Sequence, residues 1–552
     1  MNQRREMLVL GMVCTAFLAL CLAYALLLPP YEGFDEDAHA SYVSFLADRW
    51  QVPDFRTTPF DRSVIDTVDH LPRRYSSIPP FERNGGKTYG DFFNRTPFVE
   101  RQEAVRRFWQ TPLRPAEYVP APGTTNWQGQ HPPLYYALLS LPYRWTRSAA
   151  PAVRLLVLRL CSVLLACGSL VFWWKAVHLF ESAAARRTIF LGGVAILFFP
   201  SCWFDFARLG NDSLVALWTS AAFYFALRAY RDRQASIANH WGLAVVSGLG
   251  LLTKAFFLPI SLGLIGWLTW QAIADRQRSR KAVVLRLLIL IGIPFLLAGP
   301  WYGLCWQRYG SPLVTCETYY WSQPGAAQPG QLVAASGFAW GMLRATATFT
   351  KSFVWASSWS YVGQPLWHYL LGVPLILLAA RNTAVRPWKT ADRDARQIML
   401  AAACALAPLM ANFVHYMYLK GRFAGFQSSI GGYYLFAAWL PLAALLGRAF
   451  ADTSRRGKVL LLATLAMMLY VEVYGIWLLA QTYAGVVEKL GNATAGVGFL
   501  WPTPRHLSLV YTRLRELAFP GCAAGFYALA WAVRLALVGL VLTAHDKHAV
   551  KQ

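Results

Sequence analysis

The segment Met7–Pro30 reads MLVLGMVCTAFLALCLAYALLLPP. Its apolar run extends from Met7 to Leu28 and is closed by the pair Pro29-Pro30. A helix needs about 20 such residues to cross a bilayer. The run is longer than the core of a typical signal peptide, and no small-residue cleavage site follows it. We therefore predict an uncleaved first membrane span that ends at the proline pair.

The rest of the chain has the same character. Of its 552 residues, 56% are hydrophobic and only 14% are charged, whereas about a quarter are charged in a typical soluble protein. The predicted fold class is therefore an all-α polytopic membrane protein with about twelve transmembrane helices. The apolar runs of spanning length lie near residues 7–28, 153–178, 188–205, 212–229, 239–253, 255–273, 283–304, 363–380, 397–417, 431–448, 459–480 and 522–543.

Basic residues orient these spans. If the N-terminus is cytoplasmic, alternate loops carry clusters such as Arg186-Arg187, Arg276–Lys281 and Arg381–Arg396, and the C-terminal tail carries Lys547 and Lys551. Cytoplasmic loops of membrane proteins are enriched in Lys and Arg. We therefore predict that both termini are cytoplasmic. The same bias explains the formal net charge of +24, so nucleic acid is not a predicted partner.

The spans divide the chain into five regions. These are the first transmembrane helix (1–29), an extracytoplasmic loop with an acidic motif and interfacial helices (30–152), transmembrane helices 2–7 (153–305), a second external loop (306–362), and helices 8–12 (363–552), which include an external loop near 481–520. The segment His131–Tyr143 is apolar but short and interrupted by prolines, so we predict an interfacial or re-entrant helix. Cys305 and Cys316 flank an external turn, and their pairing is left open.

The first external loop begins with the motif Phe34-Asp35-Glu36-Asp37-Ala38-His39. On a helix, Asp35 and His39 would share one face because they are four residues apart. Clustered carboxylates raise one another's pKa, which suits acid–base chemistry or cation binding. The alternative is a solvated helix N-terminus, where acidic side chains favour the helix dipole. The motif alone does not decide between these two interpretations.

Further polar sites interrupt the apolar pattern on the same predicted side. His131-Pro132-Pro133 precedes an apolar helix. The motif Arg208–Asp212 separates two spans, and Asp212 is a good candidate for a helix N-cap. Lys254 lies between two apolar runs, where snorkelling would explain it. Arg159 lies just inside the second span. A cation in such a place is a functional candidate whose natural partner is an anionic lipid headgroup.

Taken together and in this order, these sites resemble the GT-C superfamily of membrane glycosyltransferases. Members that the sequence resembles are the protein O-mannosyltransferases, the bacterial aminoarabinose transferases and their uncharacterised bacterial relatives. The shared features are the Asp-Glu pair after the first span, the His-Pro-Pro segment, the Arg in the second span, the Arg…Asn-Asp motif before the fourth span, and the segment Gly248–Lys254. The likeness covers roughly Tyr31 to Leu446. It departs at Tyr433, where the family usually has Arg after Gly.

The resemblance implies an enzyme that transfers a sugar from a polyprenyl-phosphate-type lipid donor, with inversion. The implied acceptor is a glycan, a lipid or a protein on the extracytoplasmic side of the plasma (inner) membrane. It also implies that Asp35 and Glu36 are the catalytic pair, with Asp35 as general base, and that Glu36 and His39 orient Asp35 or contact the acceptor. Some relatives use a divalent metal ion, for which Asp35, Glu36 and His39 would be the ligands. Metal dependence is left open here.

The remaining cations receive implied roles at the donor. His131, Arg159 and Lys254 would hold the donor phosphate. Arg208 and Asp212 would line the same cavity. All of these roles require that the residues converge on one pocket at the non-cytoplasmic side of the bilayer.

Two other functional classes remain open. A transporter or flippase of lipid-linked glycans predicts charged residues buried mid-span in several helices, whereas the polar residues identified here collect on one side. A non-catalytic membrane subunit would leave the acidic motif dispensable. The identities of the sugar and the acceptor are not encoded in any motif recognised here.

Overall fold

In the residues that it describes, the computed structural model consists of α-helices, two short 3₁₀ segments and connecting turns. In the part of the chain that it describes, the β-pairing is one isolated bridge between Pro59 and Thr125. The described residues are 3–72, 87–110, 117–118, 125–232, 237–275, 279–321, 323, 335–358, 362–370, 372, 392–424, 430–450, 455–487 and 499–549.

The α-helices follow one another along the whole chain. They are α1 (Gln3–Leu27), α2 (Glu36–Arg49), α3 (Arg62–His70), α4 (Tyr89–Asn94), α5 (Phe98–Gln110), α6 (Leu134–Trp145), α7 (Pro151–Val177), α8 (Ala183–Ile196), α9 (Pro200–Ala207), α10 (Asp212–Arg231), α11 (Ile237–Leu251), α12 (Phe257–Ala274), α13 (Arg280–Tyr309), α14 (Cys316–Trp321), α15 (Ala335–Val354), α16 (Arg393–Ala424), α17 (Trp439–Phe450), α18 (Arg455–Tyr483), α19 (Pro504–Leu514) and α20 (Pro520–Ala549). The 3₁₀ segments are Trp127–Gln130 and Gly432–Ala438.

Eight of the helical segments among the described residues are long and apolar enough to cross a membrane. They coincide with predicted spans. The matching predictions are those near 7–28, 153–178, 255–273, 283–304, 397–417, 431–448, 459–480 and 522–543. The predicted fold class, an all-α polytopic membrane protein, is therefore confirmed.

The other four predicted spans have different outcomes. The span near 188–205 is broken, because α8 and α9 meet at 70° where Pro200 begins a new helix. The spans near 212–229 and 239–253 correspond to α10 and α11, which do not meet the criteria of length and hydropathy that the eight satisfy. Most of the span near 363–380 lies outside the described residues. Counting the bent pair, the described residues support up to nine spans, fewer than the twelve predicted.

Small residues bring the membrane helices into close contact. A Cβ on Gly192 of α8 would lie 1.7 Å from the carbonyl oxygen of Ala443 in α17, and a Cβ on Gly447 would lie 1.8 Å from that of Thr188. Any larger residue would push the two helices apart, as is typical of small-residue contacts in membranes. The first and last helices, α1 and α20, also pack against each other.

A buried ion pair joins α18 to α20 near the middle of both helices. The Arg534 guanidinium donates to both carboxylate oxygens of Glu472 at 2.6 Å each, and both side chains are 0% exposed. Arg534 also donates to the carbonyl of Leu197 at 3.3 Å, just where α8 ends. Charges in a membrane interior require such partners. No motif in the sequence indicated this pair.

We call the side of the bundle where α1 ends the predicted outer face. The helices α2 to α6 connect α1 to α7 there. The segment predicted to be interfacial or re-entrant forms α6, a helix of 12 residues with Pro142 inside it, which packs on α2 and α7 and is not among the candidate spans. Cys305 and Cys316 are free thiols in the structure.

Candidate functional site at the predicted outer face

The end of the first membrane helix is capped by an arginine from another helix. α1 ends at Leu27, just before the two prolines, and a helix end leaves carbonyl groups without intrahelical partners. Arg159 of α7 supplies donors to them. Its Nη1 donates to the carbonyls of Ala25 at 3.1 Å and Leu28 at 2.7 Å, and its Nη2 donates to that of Pro29 at 2.8 Å. Arg159 therefore fixes the end of α1 against α7.

The same arginine forms an ion pair with Glu36. Its Nε lies 2.8 Å from Oε1, and its Nη2 lies 2.6 Å from Oε2. The Glu36 carboxylate also accepts from the backbone N–H groups of Gly33 at 3.0 Å and Leu209 at 2.9 Å. All five N–H groups of the guanidinium and four acceptor positions of the carboxylate thus have partners inside the protein. The pair therefore has no hydrogen-bonding group left for a substrate. Its hydrogen bonds hold parts of the protein together.

Asp35 has a different environment. It precedes α2 with a left-handed backbone (φ 59°, ψ 16°), a conformation that Asp tolerates better than most residues, and its side chain does not cap the helix. Instead, Oδ1 accepts from Trp127 Nε1 at 3.0 Å. Removal from solvent, the largest effect, raises the pKa of Asp35 to about 6, against the lowering influence of Arg208 and Lys254. These features differ from those of a solvated helix N-terminus.

Two cations flank one carboxylate beside Asp35. Asp212 accepts from Arg208 Nη2 at 2.9 Å and from Lys254 Nζ at 2.6 Å. The Arg208 Nη1 also donates to the carbonyl of Phe34 at 2.9 Å. We call Arg208, Asp212 and Lys254 the ion-pair network. Because Phe34 immediately precedes Asp35 in the chain, the bond from Arg208 places this network next to Asp35. Three segments far apart in sequence therefore meet at the predicted outer face.

The structure corrects two interpretations made from the sequence, that Asp212 is a helix N-cap and that Lys254 snorkels to water. The N-cap of α10 is Asn211, not Asp212, which is the first helical residue and directs its carboxylate to the two cations. Lys254 is 8% exposed, and its ammonium lies 4.7 Å from the ring centroid of Tyr434, so it does not snorkel to water. Arg208 makes a second ion pair with Asp205 at the end of α9.

The two histidines are held in the neutral form. The ring of His39 is hydrogen-bonded to the Tyr136 hydroxyl at 3.0 Å, and burial lowers its pKa well below the usual range. Burial and the nearby Lys254 lower the pKa of His131 to about 3. Within the part of the chain that the structure describes, the His131 ring has no hydrogen-bond partner. Because Asp212 also influences its pKa, His131 lies near the network.

A metal site is not formed by the residues considered for it. No group of three or more His, Cys, Asp or Glu side chains that could hold a metal ion occurs among the described residues. Glu36 is fully engaged by Arg159 and backbone groups, and His39 is hydrogen-bonded to Tyr136. Asp35, Glu36 and His39 do not fit as a set of ligands.

Two aromatic residues of the site were not assigned a role from the sequence. Trp127 contacts Asp35, but nothing distinguishes it among the 23 tryptophans of the chain. Tyr433 stacks on Phe34 with ring centroids 4.9 Å apart, and the Arg208 guanidinium lies 6.0 Å from its centroid. The signal for Tyr433 was its departure from the family pattern. A packing contact occupies the position where the glycosyltransferases that the sequence resembles usually have Arg.

Comparisons with known proteins find similarity only at the level of structure. No family model matches the chain, and no curated protein matches it. The chain is similar to the aminoarabinose transferase ArnT from Cupriavidus metallidurans, solved with undecaprenyl phosphate, at 14% identity and a TM-score of 0.46, covering 96% of this chain and 76% of that one. It is also similar to the oligosaccharyltransferase from Archaeoglobus fulgidus, at 12% identity and a TM-score of 0.39, covering 97% of this chain but only 56% of that one. Because both scores are below 0.5, no residue role is transferred from these structures.

Proposed function

We propose that this protein is an integral membrane glycosyltransferase. It moves a sugar from a polyprenyl-phosphate-type lipid to an acceptor at the predicted outer face. The observation that carries the proposal is the convergence of Asp35 with Arg208 and Lys254 at one end of the bundle. A lipid-linked donor stays in the bilayer, so the enzyme that uses it needs a carboxylate and cations together at the membrane boundary.

The cations that hold the donor phosphate are Lys254 and Arg208. A lysine ammonium has three N–H donors and an arginine guanidinium has five. Among the described residues, Lys254 uses one on Asp212, and Arg208 uses one Nη1 donor on Phe34 while Nε and Nη2 serve the two aspartates. Two donors of Lys254 and one of Arg208 therefore stay available for phosphate oxygens. Such charge-assisted hydrogen bonds also stabilise the leaving phosphate as the bond breaks.

Arg159 and Glu36 take a supporting role in this scheme. Their hydrogen-bonding groups are saturated by each other and by the backbone. The pair fixes the end of α1, and it therefore fixes the turn that carries Asp35. Glu36 is assigned here as a positioning residue, and Arg159 is not assigned as a phosphate ligand.

Asp35 is the general base. A base works best when its pKa is close to the working pH, and burial raises the pKa of Asp35 to about 6. The ionised carboxylate takes the proton from an acceptor hydroxyl or amine while that atom forms its bond to the anomeric carbon. The bond from the anomeric carbon to the phosphate oxygen breaks, and the polyprenyl phosphate leaves with the electron pair. Attack from the face opposite the phosphate inverts the anomeric centre.

His131 is the remaining donor toward the phosphate. Its ring is neutral and without a partner in the described residues, and it lies near Lys254. One ring N–H is therefore available for a phosphate oxygen. His39 is hydrogen-bonded to Tyr136, and its ring contacts the acceptor in the orientation that this bond fixes.

The proposed location is the plasma (inner) membrane, with both termini cytoplasmic and the site extracytoplasmic, in line with the basic loops.

The test is donor turnover by matched variants. Purified protein is reconstituted with a panel of polyprenyl-phosphate sugars and candidate acceptors, and release of the lipid phosphate is measured. We expect Asp35→Asn to lose at least about a hundredfold in rate while the protein still inserts into membranes. Asp66→Asn, a surface variant on α3 of the same external loop, serves as the control and should keep full activity. Full activity of Asp35→Asn would end the assignment.

The competing classes give other results in the same experiment. The ion pair between Glu472 and Arg534 is a mid-span charged feature of the kind that a transporter would use, but each charge is occupied by the other. A flippase would move a labelled lipid-linked glycan across the vesicle bilayer without releasing lipid phosphate. A non-catalytic subunit would do neither.

A further inference from the structure

We propose that Trp127 is the positioning residue of Asp35. Its indole N–H holds Oδ1 of the carboxylate and leaves Oδ2 as the oxygen that takes the acceptor proton. The bond measures 3.0 Å between Nε1 and Oδ1. The role in catalysis rests on the proposed function, whereas the contact and its effect on the carboxylate can be tested without any substrate.

The Asp35 side chain needs such a partner because it makes no hydrogen bond to the backbone of its own helix. Its left-handed conformation places it before α2 without a capping hydrogen bond. Among the described residues, the bond from Trp127 is the one hydrogen bond that the Asp35 carboxylate accepts. A carboxylate held by one oxygen keeps a defined orientation and a free second oxygen, as a base must in order to meet its proton within hydrogen-bonding distance.

The turn that carries Trp127 is anchored to the helix that follows Asp35. Asn126, which is 1% exposed, donates from Nδ2 to the carbonyl of Ala38 at 3.0 Å. Its Oδ1 accepts from the backbone N–H of Gln128 at 3.0 Å and so closes the 3₁₀ segment around Trp127. The indole and the carboxylate are therefore both tied to the first turn of α2.

The other side of this turn contacts the second external region. Gln130 Oε1 accepts from the backbone N–H of Cys316, the first residue of α14, at 2.7 Å. A Cβ on Gly129 would lie 3.0 Å from the backbone N of Phe55, so the turn also packs tightly on the loop before α3. The ring of Phe60 lies 5.1 Å from that of Trp127. The turn is thus held by α14 and by the loop before α3, and the indole itself packs on Phe60.

The other groups that face Asp35 are charged or titratable but belong to different elements. Arg208 and Lys254 favour its ionised form, Asp37 disfavours it, and Cys316, Tyr136 and Tyr434 also lie within its electrostatic reach. None of these side chains is hydrogen-bonded to the Asp35 carboxylate in the structure. Loss of the Trp127 N–H therefore removes a contribution that the others do not replace.

The first test is infrared titration of the purified protein. The Asp35 carboxyl band is identified as the difference between wild type and Asp35→Asn, and its midpoint is followed with pH. We expect Trp127→Phe to raise the midpoint by about one unit, because the hydrogen bond that stabilises the carboxylate is lost. Trp109→Phe is the matched control, since the indole of Trp109 donates to the carbonyl of Glu516 at 2.7 Å and is not hydrogen-bonded to Asp35. An unchanged midpoint in Trp127→Phe overturns the proposal.

The second test separates positioning from folding. With the donor that wild type turns over, Trp127→Phe should lower kcat about tenfold, move the acidic limb of the pH profile upward, and leave KM for the donor nearly unchanged. If the Phe variant unfolds, β-(3-benzothienyl)alanine at position 127 keeps the fused-ring shape and replaces the N–H with a sulfur atom that cannot donate. A wild-type midpoint with that analogue also overturns the proposal. If no donor is turned over at all, the proposed function fails, but the infrared titration still decides the contact.

Discussion

The guanidinium of Arg159 donates two hydrogen bonds, 2.8 and 2.6 Å long, to the Glu36 carboxylate at the end of the first membrane helix. Their side chains are 5% and 0% exposed. The two residues are separated by most of the first external loop, so the ion pair closes that loop at its base. Three features contact it, namely the end of α1, the turn at Gly33, and the segment at Leu209 that follows Arg208.

We expect Arg159→Lys to fail mainly in stability. A lysine keeps the charge but has three donors and cannot replace five, so at least two buried acceptors lose their partner, at about 1–3 kcal/mol each. The melting temperature in detergent and the yield of monodisperse protein should both fall. If the variant kept wild-type stability and lost only affinity for the lipid phosphate, Arg159 would return to its role as a phosphate ligand.

The rate of transfer should depend on pH through Asp35. The base must be ionised, and burial raises its pKa to about 6. We therefore expect kcat/KM to be constant at higher pH and to fall as the pH drops through about 6. A limb near the ordinary pKa of an aspartate, about 3.9, would contradict the assignment. The profile is measured from initial rates at donor concentrations below KM, where it reports the pKa values of the free enzyme.

Lys254→Met should weaken binding of the donor phosphate. A charge-assisted hydrogen bond contributes about 1.5–3 kcal/mol, so we expect the Kd for undecaprenyl phosphate in micelles to rise roughly tenfold to a hundredfold. Lys175→Met is the control, because Lys175 lies in the last turn of α7, at the end of that helix far from Arg159. Equal affinity of the Lys254 variant and wild type would remove Lys254 from the phosphate site.

Gly210→Ala should disturb Arg208 without changing any charge. A Cβ at this position would lie 2.5 Å from Arg208 Nη1, the atom that donates to Phe34. A displacement of this kind near the reacting groups can cost about a hundredfold in rate. Gly303→Ala is the control, because a Cβ there would meet nothing within 4 Å. Similar activity of both variants would show that the position of this guanidinium is unimportant.

The mid-span pair can be tested by removing one charge or both. Glu472→Leu or Arg534→Leu alone leaves an uncompensated charge in the membrane interior and should cost about 3–5 kcal/mol. The double variant should recover most of that loss. Thermal unfolding in detergent measures all three. A double variant no more stable than the single variants would show that the pair itself, and not the isolated charge, determines the stability.

Much of the fold could be predicted from the sequence because bilayer thickness sets the length of apolar runs. The first span ends where Pro29 predicts, and α13 and α18 lie where their apolar runs lie. The bend at Pro200 was missed, since the run near 188–205 is continuous in composition. Hydropathy measures length and polarity but does not report the angle at which a chain continues after a proline.

The candidate site could be predicted only as a set of residues. Their order along the chain indicated that Asp35, Arg208 and Lys254 belong together, and the structure brings them together. The partners were not predictable, because Arg159 and Glu36 are 123 residues apart and either could have paired with other charges. Trp127 was missed for the same reason. A single indole carries no pattern, and its partner becomes visible only when the loop is folded.

The position of Arg534 has a consequence for biogenesis. A chain is made from its N-terminus, so α18 with Glu472 has left the translocon before α20 emerges. An arginine at the centre of a lone helix costs about 2.5–3.5 kcal/mol to insert, and Glu472 already in the bilayer offsets this cost. α20 is therefore expected to dock on α18 as it enters the lipid, so that the insertion of this helix and its packing into the bundle are a single event.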